Sequence, residues 1–254
     1  MDAVLYRVDD RIATFTINRP ERRNAVDEAV VEAMTAALDR FEGDESVWLG
    51  VLTGSGEAAF CAGADLGTIS RGGSIWPERG GFAGFVRRPR TKPVIAAVNG
   101  HAMGGGFELV LACDLAVAVE TATFGLPEVR RGIIAGSGGL FRLPRLVPPR
   151  VATELILTGQ PIGAARALEI GVLNAVVPRD QLMPAVHELA GRVLESAPLA
   201  VRESLRALRE VRTMEDEAAF DLCAEARGRV IGTQDAQEGM RAFLEKRPPR
   251  WRGA

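Results

Sequence analysis

Apolar and polar residues alternate near the start of the chain. In Ala13-Thr14-Phe15-Thr16-Ile17 every second side chain is apolar, the period of a half-buried strand. Val4 to Val8 is also β-prone and Asp9-Asp10 is turn-like, so a hairpin is predicted, ended by Asn18-Arg19-Pro20. The period then lengthens. Val30, Met34, Leu38 and Phe41 recur at helical spacing, Asp27 and Glu28 suit a first turn, and Gly43 suits a stop. A helix is predicted from about Val26 to Phe41. Short apolar runs at Val47–Thr53, Pro93–Val98 and Asp114–Val119 fit buried strands. Between the last two, His101–Cys113 has glycines first and helix formers after. Strands alternating with helical segments indicate an α/β fold. Residues 66–92, rich in Gly, Pro and Arg, read as a loop or a loosely helical excursion.

The pattern changes from about residue 181. Gln181–Glu195, Leu199–Arg212, Glu215–Ile231 and Ala236–Glu245 carry helical periodicity, punctuated by Pro198 and Gly232, and no strand pattern follows Val177. A boundary is therefore expected near residue 196, between a core (1–196) and a helical C-terminal region (197–254).

Composition removes several classes. At 254 residues, 47% hydrophobic and 25% charged, the chain can bury a core without staples. A net charge of −2 supplies no global field for nucleic acid, and the dense basic stretches at Arg87–Arg90 and Lys246–Arg252 read first as solvated faces. Cys61, Cys113 and Cys223 form no CxxC pair, so neither a disulfide framework nor a zinc site is expected. No apolar run reaches membrane-spanning length, and Met1-Asp2-Ala3-Val4 does not begin a signal peptide pattern; a reducing cytoplasm is the expected compartment. Gly104-Gly105-Gly106 does not fit GxGxxG, GxxxxGK[ST] is absent, and Ala135 breaks the GxSxG spacing around Ser137. Only His101 and His187 exist, so a Ser–His–Asp mechanism would rest on His101 alone.

Three segments hold candidate chemistry. In Asn99–Leu109, three glycines lead into a helical pattern, so a ligand can approach the backbone closely. The first N–H groups of a helix lack internal partners and carry partial positive charge, which suits an oxyanion. Glu108 would lie in the first turn beside them. Equally, the glycines permit tight packing and Glu108 complements the helix dipole. Phe60–Leu66 offers small residues, Ala62, Gly63 and Ala64, that can present a second backbone donor. In Phe124–Val129, Glu128 follows Pro127 in a loop among Phe124, Leu126, Val129, Ile133 and Ile134. There it would be partly desolvated and raised in pKa, or else paired with Arg130 or Arg131 at the surface.

In this order and at these separations, the segments, with Gly136-Ser137-Gly138-Gly139 after the third, resemble the enoyl-CoA hydratase/isomerase (crotonase) family. So do Asn18-Arg19-Pro20 with Asn24-Ala25, Lys92–Gly100, Leu157-Thr158-Gly159, Ala164–Ala167, Gly171–Asn174 and Phe243–Arg247. The resemblance covers nearly the whole chain. It implies a spiral of ββα repeats with a C-terminal helical trimerisation region, assembled as a homotrimer or a hexamer of two trimers. It implies that Ala64 and Gly105 form an oxyanion hole for a thioester carbonyl. Ala62, Ala64, Asp65, Leu66, Gly67 and Gly104 would lie along the acyl-CoA substrate, and Phe243 and Lys246 would reach CoA, often in a neighbouring subunit. Glu108 and Glu128 match both catalytic carboxylates of family hydratases, implying addition of water to a 2-enoyl-CoA with no metal or dissociable cofactor. The run Phe124–Ile133, Arg142-Leu143-Pro144 and Trp251-Arg252-Gly253 resemble a carnitinyl-CoA dehydratase-like branch. An isomerase and a non-catalytic acyl-CoA binder are the remaining alternatives.

Overall fold

The computed structural model describes residues 2–254. The hairpin forms as predicted: β1 (Val4–Asp9) pairs antiparallel with β2 (Ile12–Ile17), and Asp10 and Arg11 turn between them at positive φ. Ala13, Phe15 and Ile17 are fully buried on one face of β2. Helix α1 (Glu28–Gly43) is capped by Asp27, whose carboxylate accepts the Val30 N–H at 3.0 Å. It buries Val30, Met34, Leu38 and Phe41, and the Phe41 ring meets Phe15 edge-on at 5.3 Å. Each such side chain contributes about 2–3 kcal/mol of hydrophobic stabilisation.

The chain then alternates between two sheets. Strands β3 (Leu49–Gly54), β5 (Val94–Val98), β7 (Leu115–Val119) and β10 (Ala175–Val177) extend the first sheet in parallel, in the order β1-β2-β3-β5-β7-β10. Strands β4 (Ala59–Cys61), β6 (His101–Met103), β8 (Thr123–Gly125) and β9 (Ile162–Gly163) make the second. Each pair, β3/β4, β5/β6 and β7/β8, gives one strand to each sheet, and a helical segment then returns the chain. After β4 the return runs through α2 (Leu66–Ser70) and a 3₁₀ turn (Phe82–Gly84). After β6 it is α3 (Gly105–Ala112); after β8 it is α4 (Gly139–Leu146) and α5 (Pro149–Thr158), with α6 (Ala164–Glu169) leading into β10. This is the ββα spiral. Side chains lock its corners: Asn99, between β5 and β6, accepts from the Gly54 N–H at 3.1 Å and donates to the Gly56 carbonyl at 2.8 Å.

One reading changes: His101–Cys113 is not one glycine-led helix, because its first three residues form β6. Residues 66–92 hold two short helical turns, the loosely helical of the two alternatives.

The chain divides into two compact units. One runs to Pro89 and from Val94 to His187; the other comprises Arg90–Pro93 and Glu188–Ala254. The division falls inside α7 (Leu182–Leu194) and not near residue 196. Leu182 and Val186 are buried, so the start of α7 belongs to the first unit. A change of sequence pattern marks where strands stop, not which core a helix joins. The second unit contains α8 (Pro198–Glu210), α9 (Asp216–Ile231) and α10 (Gln234–Leu244), all predicted. Glu203 on α8 pairs with Arg206 of the same helix at 3.1 Å and with Arg229 of α9 at 2.9 Å, and the second pair links the two helices. Buried Asp235 accepts the N–H groups of Arg252 and Gly253, both at 2.8 Å, which fastens the C-terminal segment.

Candidate active site

The turn after β2 fixes one wall of the site. Asn24 is fully buried at φ +56°. Its amide oxygen accepts the Arg19 N–H at 3.0 Å, and its amide nitrogen donates to the carbonyls of Ala59 and Ser55 at 2.7 and 2.9 Å. The Arg19 guanidinium pairs with Asp27 and Asp65 at 3.0 and 3.2 Å. Val26 is thereby held in a parallel bridge to Ala64, with its N–H on the Gly63 carbonyl (2.8 Å) and its carbonyl on the Asp65 N–H (2.9 Å). These bonds use the neighbours of Ala64, so Ala64's own N–H points to the opposite side.

The start of α3 forms the facing wall. Gly104 sits at φ 56°, ψ −125°, a conformation that residues with a Cβ avoid. A Cβ on Gly106 would lie 2.0 Å from the Cys61 carbonyl oxygen, so only glycine lets α3 approach β4 this closely. The edge of the Phe82 ring would lie 2.4 Å from a Cβ on Gly105. A Cβ on Gly63 would be 3.2 Å from the Gly105 nitrogen, which shows how near the 62–65 loop comes to the helix start. Gly105 is the first residue of α3, so its N–H has no acceptor within the helix.

Two carboxylates reach this space. Glu108, in the first turn of α3, is buried. Its Oε1 accepts the Gly139 N–H at 2.9 Å. Burial pushes its pKa up to about 7, and the Glu128 charge adds to the rise; N–H groups of Gly139 and Ser137 and the Arg142 charge oppose it. Glu128 lies in a 3₁₀ turn (Pro127–Arg131), not in the loop expected. It is also buried, and its Oε1 lies where a Cβ on Gly104 would be 3.1 Å away. Burial raises its pKa, opposed by its own backbone N–H and by Arg131. Its Oε2 is buried without a hydrogen-bond partner among the described groups, which favours the neutral acid. Arg130 and Arg131 instead donate to the carbonyls of Thr158 and Pro127, at 2.8 and 3.3 Å.

A cleft of about 1110 Å³ brings these groups together. Ala62, Ala64, Leu66, Gly104, Gly105, Glu108 and Glu128 all line it. Asp65 and Gly67 do not: Asp65 is turned to Arg19 and caps α2, accepting the Gly67 N–H at 3.0 Å. Phe243 and Lys246 belong to the second unit, where Phe243 is 83% exposed on α10. Of the aromatic residues in the 66–92 excursion, Trp76 and Phe82 line the cleft, whereas Phe85 is buried in the core. Ile133 and Ile134 line it but are exposed rather than packed around Glu128. His101 lies elsewhere, bonded through Nδ1 to the Thr123 hydroxyl at 2.7 Å. Sequence reasoning missed the Gly139 and Ser137 N–H groups aimed at Glu108; the small residues of Gly136–Gly139 were their signal. It also missed Arg142 as a cleft residue. No cluster of metal-ligating side chains occurs among the described residues.

Known proteins share this fold and length. A sequence profile described as enoyl-CoA hydratase/isomerase matches residues 7–254. Crotonyl-CoA hydratase of Syntrophomonas wolfei is 40% identical over 248 residues, covering 96% of this chain and 95% of that protein. Carnitinyl-CoA dehydratase of Proteus mirabilis is 40% identical over 244 residues, covering 93% of each. The crystal structure of an enoyl-CoA hydratase from Mycobacterium marinum is 42% identical, spans all of both chains and superposes with a TM-score of 0.96. The two-sheet spiral, the glycine-led helix and the full-length matches agree: the chain belongs to the enoyl-CoA hydratase/isomerase family.

Proposed function

We propose that this protein is a hydro-lyase that reversibly adds water to the double bond of a 2-enoyl-CoA thioester. The observation that carries the reading is the pair Glu108 and Glu128, both buried, both raised in pKa, and both lining one cleft. The N–H groups of Ala64 and Gly105 hold the thioester oxygen. Ionised Glu108 takes a proton from water as the water oxygen bonds to the β-carbon. The electron pair of the double bond moves towards the carbonyl, and the α-carbon takes a proton from neutral Glu128. With the water held by Glu108 and the proton of Glu128 presented to the same face of the double bond, the addition is syn. The two N–H donors stabilise the enolate-like charge, each by a few kcal/mol. Acid–base transfer contributes roughly 10²–10⁴-fold. The coupled carboxylates exchange roles in the reverse direction.

Ala62, Ala64, Leu66 and Gly104 contact the CoA thioester in this reading, while Asp65 and Gly67 shape the loop. The protein works as a homotrimer or a hexamer of two trimers, in which Phe243 and Lys246 reach CoA in a neighbouring subunit. The exposed apolar side chains Leu208, Phe220, Ile231, Phe243 and Leu244 support assembly.

A second reading is dehydration of a carnitinyl-CoA-like substrate. Trp76 and Glu78 both line the cleft, and an aromatic face with a carboxylate suits a quaternary ammonium group. The test is loss of the conjugated absorbance of crotonyl-CoA, compared with dehydration of carnitinyl-CoA, in wild type, Glu108→Gln and Glu128→Gln. Turnover of either ester that drops roughly 10²-fold or more in both variants supports the reading. Full activity in both variants would refute it.

A further inference from the structure

A closed circuit of contacts surrounds Glu108. Gly105 and Glu108 stand on α3. From Gly105 the circuit leads to the Phe82 ring, 2.4 Å from where a Cβ would be, and then to Trp76, whose ring centroid is 6.2 Å from that of Phe82. The Trp76 indole N–H donates to the Ser137 hydroxyl at 2.9 Å. The segment that carries Ser137 returns the circuit to α3, because the Gly139 N–H, two residues on, donates to Glu108 at 2.9 Å. Gly105, Glu108, Phe82, Trp76 and Ser137 all line the cleft. Arg142 braces the same two segments, donating to the carbonyls of Val86 and Ser137 at 2.6 and 3.3 Å.

We propose that the Trp76–Ser137 hydrogen bond closes the acyl end of the cleft and restricts this protein to short acyl thioesters, the size of butyryl. The inference rests on the thioester reading above and deepens it. With the carbonyl at Ala64 and Gly105 and CoA leaving past Ala62–Leu66, the acyl tail continues past Glu108, where Ser137 stands. Trp76 is 48% exposed, so the strut lies at the cleft's outer edge and its removal opens the cleft without emptying a core. Ile133, Ile134 and Phe141 line the cleft as exposed apolar side chains, ready to cover a longer chain once the strut is gone.

The experiment is calorimetric titration of butyryl-CoA and octanoyl-CoA into the full chain, in wild type, Trp76→Ala, Trp76→Phe and Ser137→Ala. Saturated esters cannot be hydrated, so their ranking is read whether or not the enzyme turns over crotonyl-CoA. A methylene buried against an apolar wall strengthens binding by up to about four-fold. Wild type should gain nothing from butyryl to octanoyl, whereas Trp76→Ala and Ser137→Ala should gain roughly ten-fold over the same step. Trp76→Phe keeps a ring, loses the donor, and should follow Ser137→Ala. Wild type binding octanoyl-CoA about ten-fold tighter, or folded variants that all keep the wild-type ranking, would overturn the proposal. Failure of wild type to bind either ester would overturn it together with the thioester reading. Unaltered ranking with absent crotonyl-CoA turnover would count against both, and altered ranking without turnover against the hydratase reading alone.

Discussion

The Gly139 N–H donates a 2.9 Å hydrogen bond to Glu108 Oε1 across 31 positions of sequence, so the loop entering α4 holds the carboxylate that α3 presents. A bond to the ionised form lowers a carboxyl pKa, and here it opposes the rise caused by burial. A Cβ on Gly139 would lie 2.8 Å from the Ala135 Cβ and 2.9 Å from Leu126 Cδ1, so Gly139→Ala must push this backbone away. The weakened bond should move Glu108 above its value of about 7. The acidic limb of kcat/KM for hydration should then shift to higher pH, with activity at neutral pH reduced. An unchanged limb would mean that Gly139 does not hold the carboxylate in solution.

Glu128 acts on Glu108 through charge. When Glu128 is ionised, its negative charge is among the causes that raise the Glu108 pKa. Glu128→Gln keeps the shape and cannot ionise, so the part of the Glu108 titration that overlaps ionisation of Glu128 should move to lower pH even as turnover falls. Difference infrared titration of the carboxyl stretch reads this without activity. A Glu108 titration that stays near 7 in the variant would show that burial alone sets it.

Close backbone approach makes a separate prediction at Gly106. A Cβ there would meet the Cys61 carbonyl oxygen at 2.0 Å, and with backbone on both sides of the clash no side chain can yield to relieve it. Gly106→Ala should destabilise the fold by about 1–3 kcal/mol, the range for overpacked sites, and should impair turnover further by displacing Ala62–Ala64 from Gly105. Thermal unfolding and kcat of the soluble fraction measure the two effects. Native stability in the variant would refute the packing argument.

Period and composition reveal some of this molecule and hide the rest. Strand β2, helix α1 and the parallel strands β3, β5 and β7 are legible because burial imposes alternation, a helical stripe or continuous apolar runs. The second sheet is not, because β4, β6 and β8 have three residues each, too few to express a period. Helices α4 and α5 are obscured by Pro144 inside the first and Pro149 opening the second. Glu108 and Glu128 are legible through glycine and proline chemistry beside them. Their burial, and the meeting of Gly139 and Ser137 with Glu108, arise from tertiary packing that no local pattern encodes. Asp65 shows the converse: its sequence position suggests ligand contact, and its geometry makes it a helix cap held by Arg19.

The raised carboxyl of Glu108 makes stability depend on pH with a definite sign. In the unfolded chain Glu108 ionises at its ordinary value of 4.5, whereas in the folded state it holds its proton to about 7. Between those values the native state binds more protons than the unfolded state, so stability falls as pH rises through this window and levels off above it. Glu128, also raised by burial, acts in the same direction. Glu108→Gln stays neutral and escapes the cost of ionising in a buried place. Relative to wild type it should gain stability progressively from about pH 4.5 to pH 7, by at most roughly 3 kcal/mol, while losing activity throughout. Denaturant unfolding of both proteins across that range measures the difference. A variant no more stabilised at pH 8 than at pH 4.5 would show that Glu108 ionises freely in the folded protein, and it could not then serve as a base tuned to neutral pH.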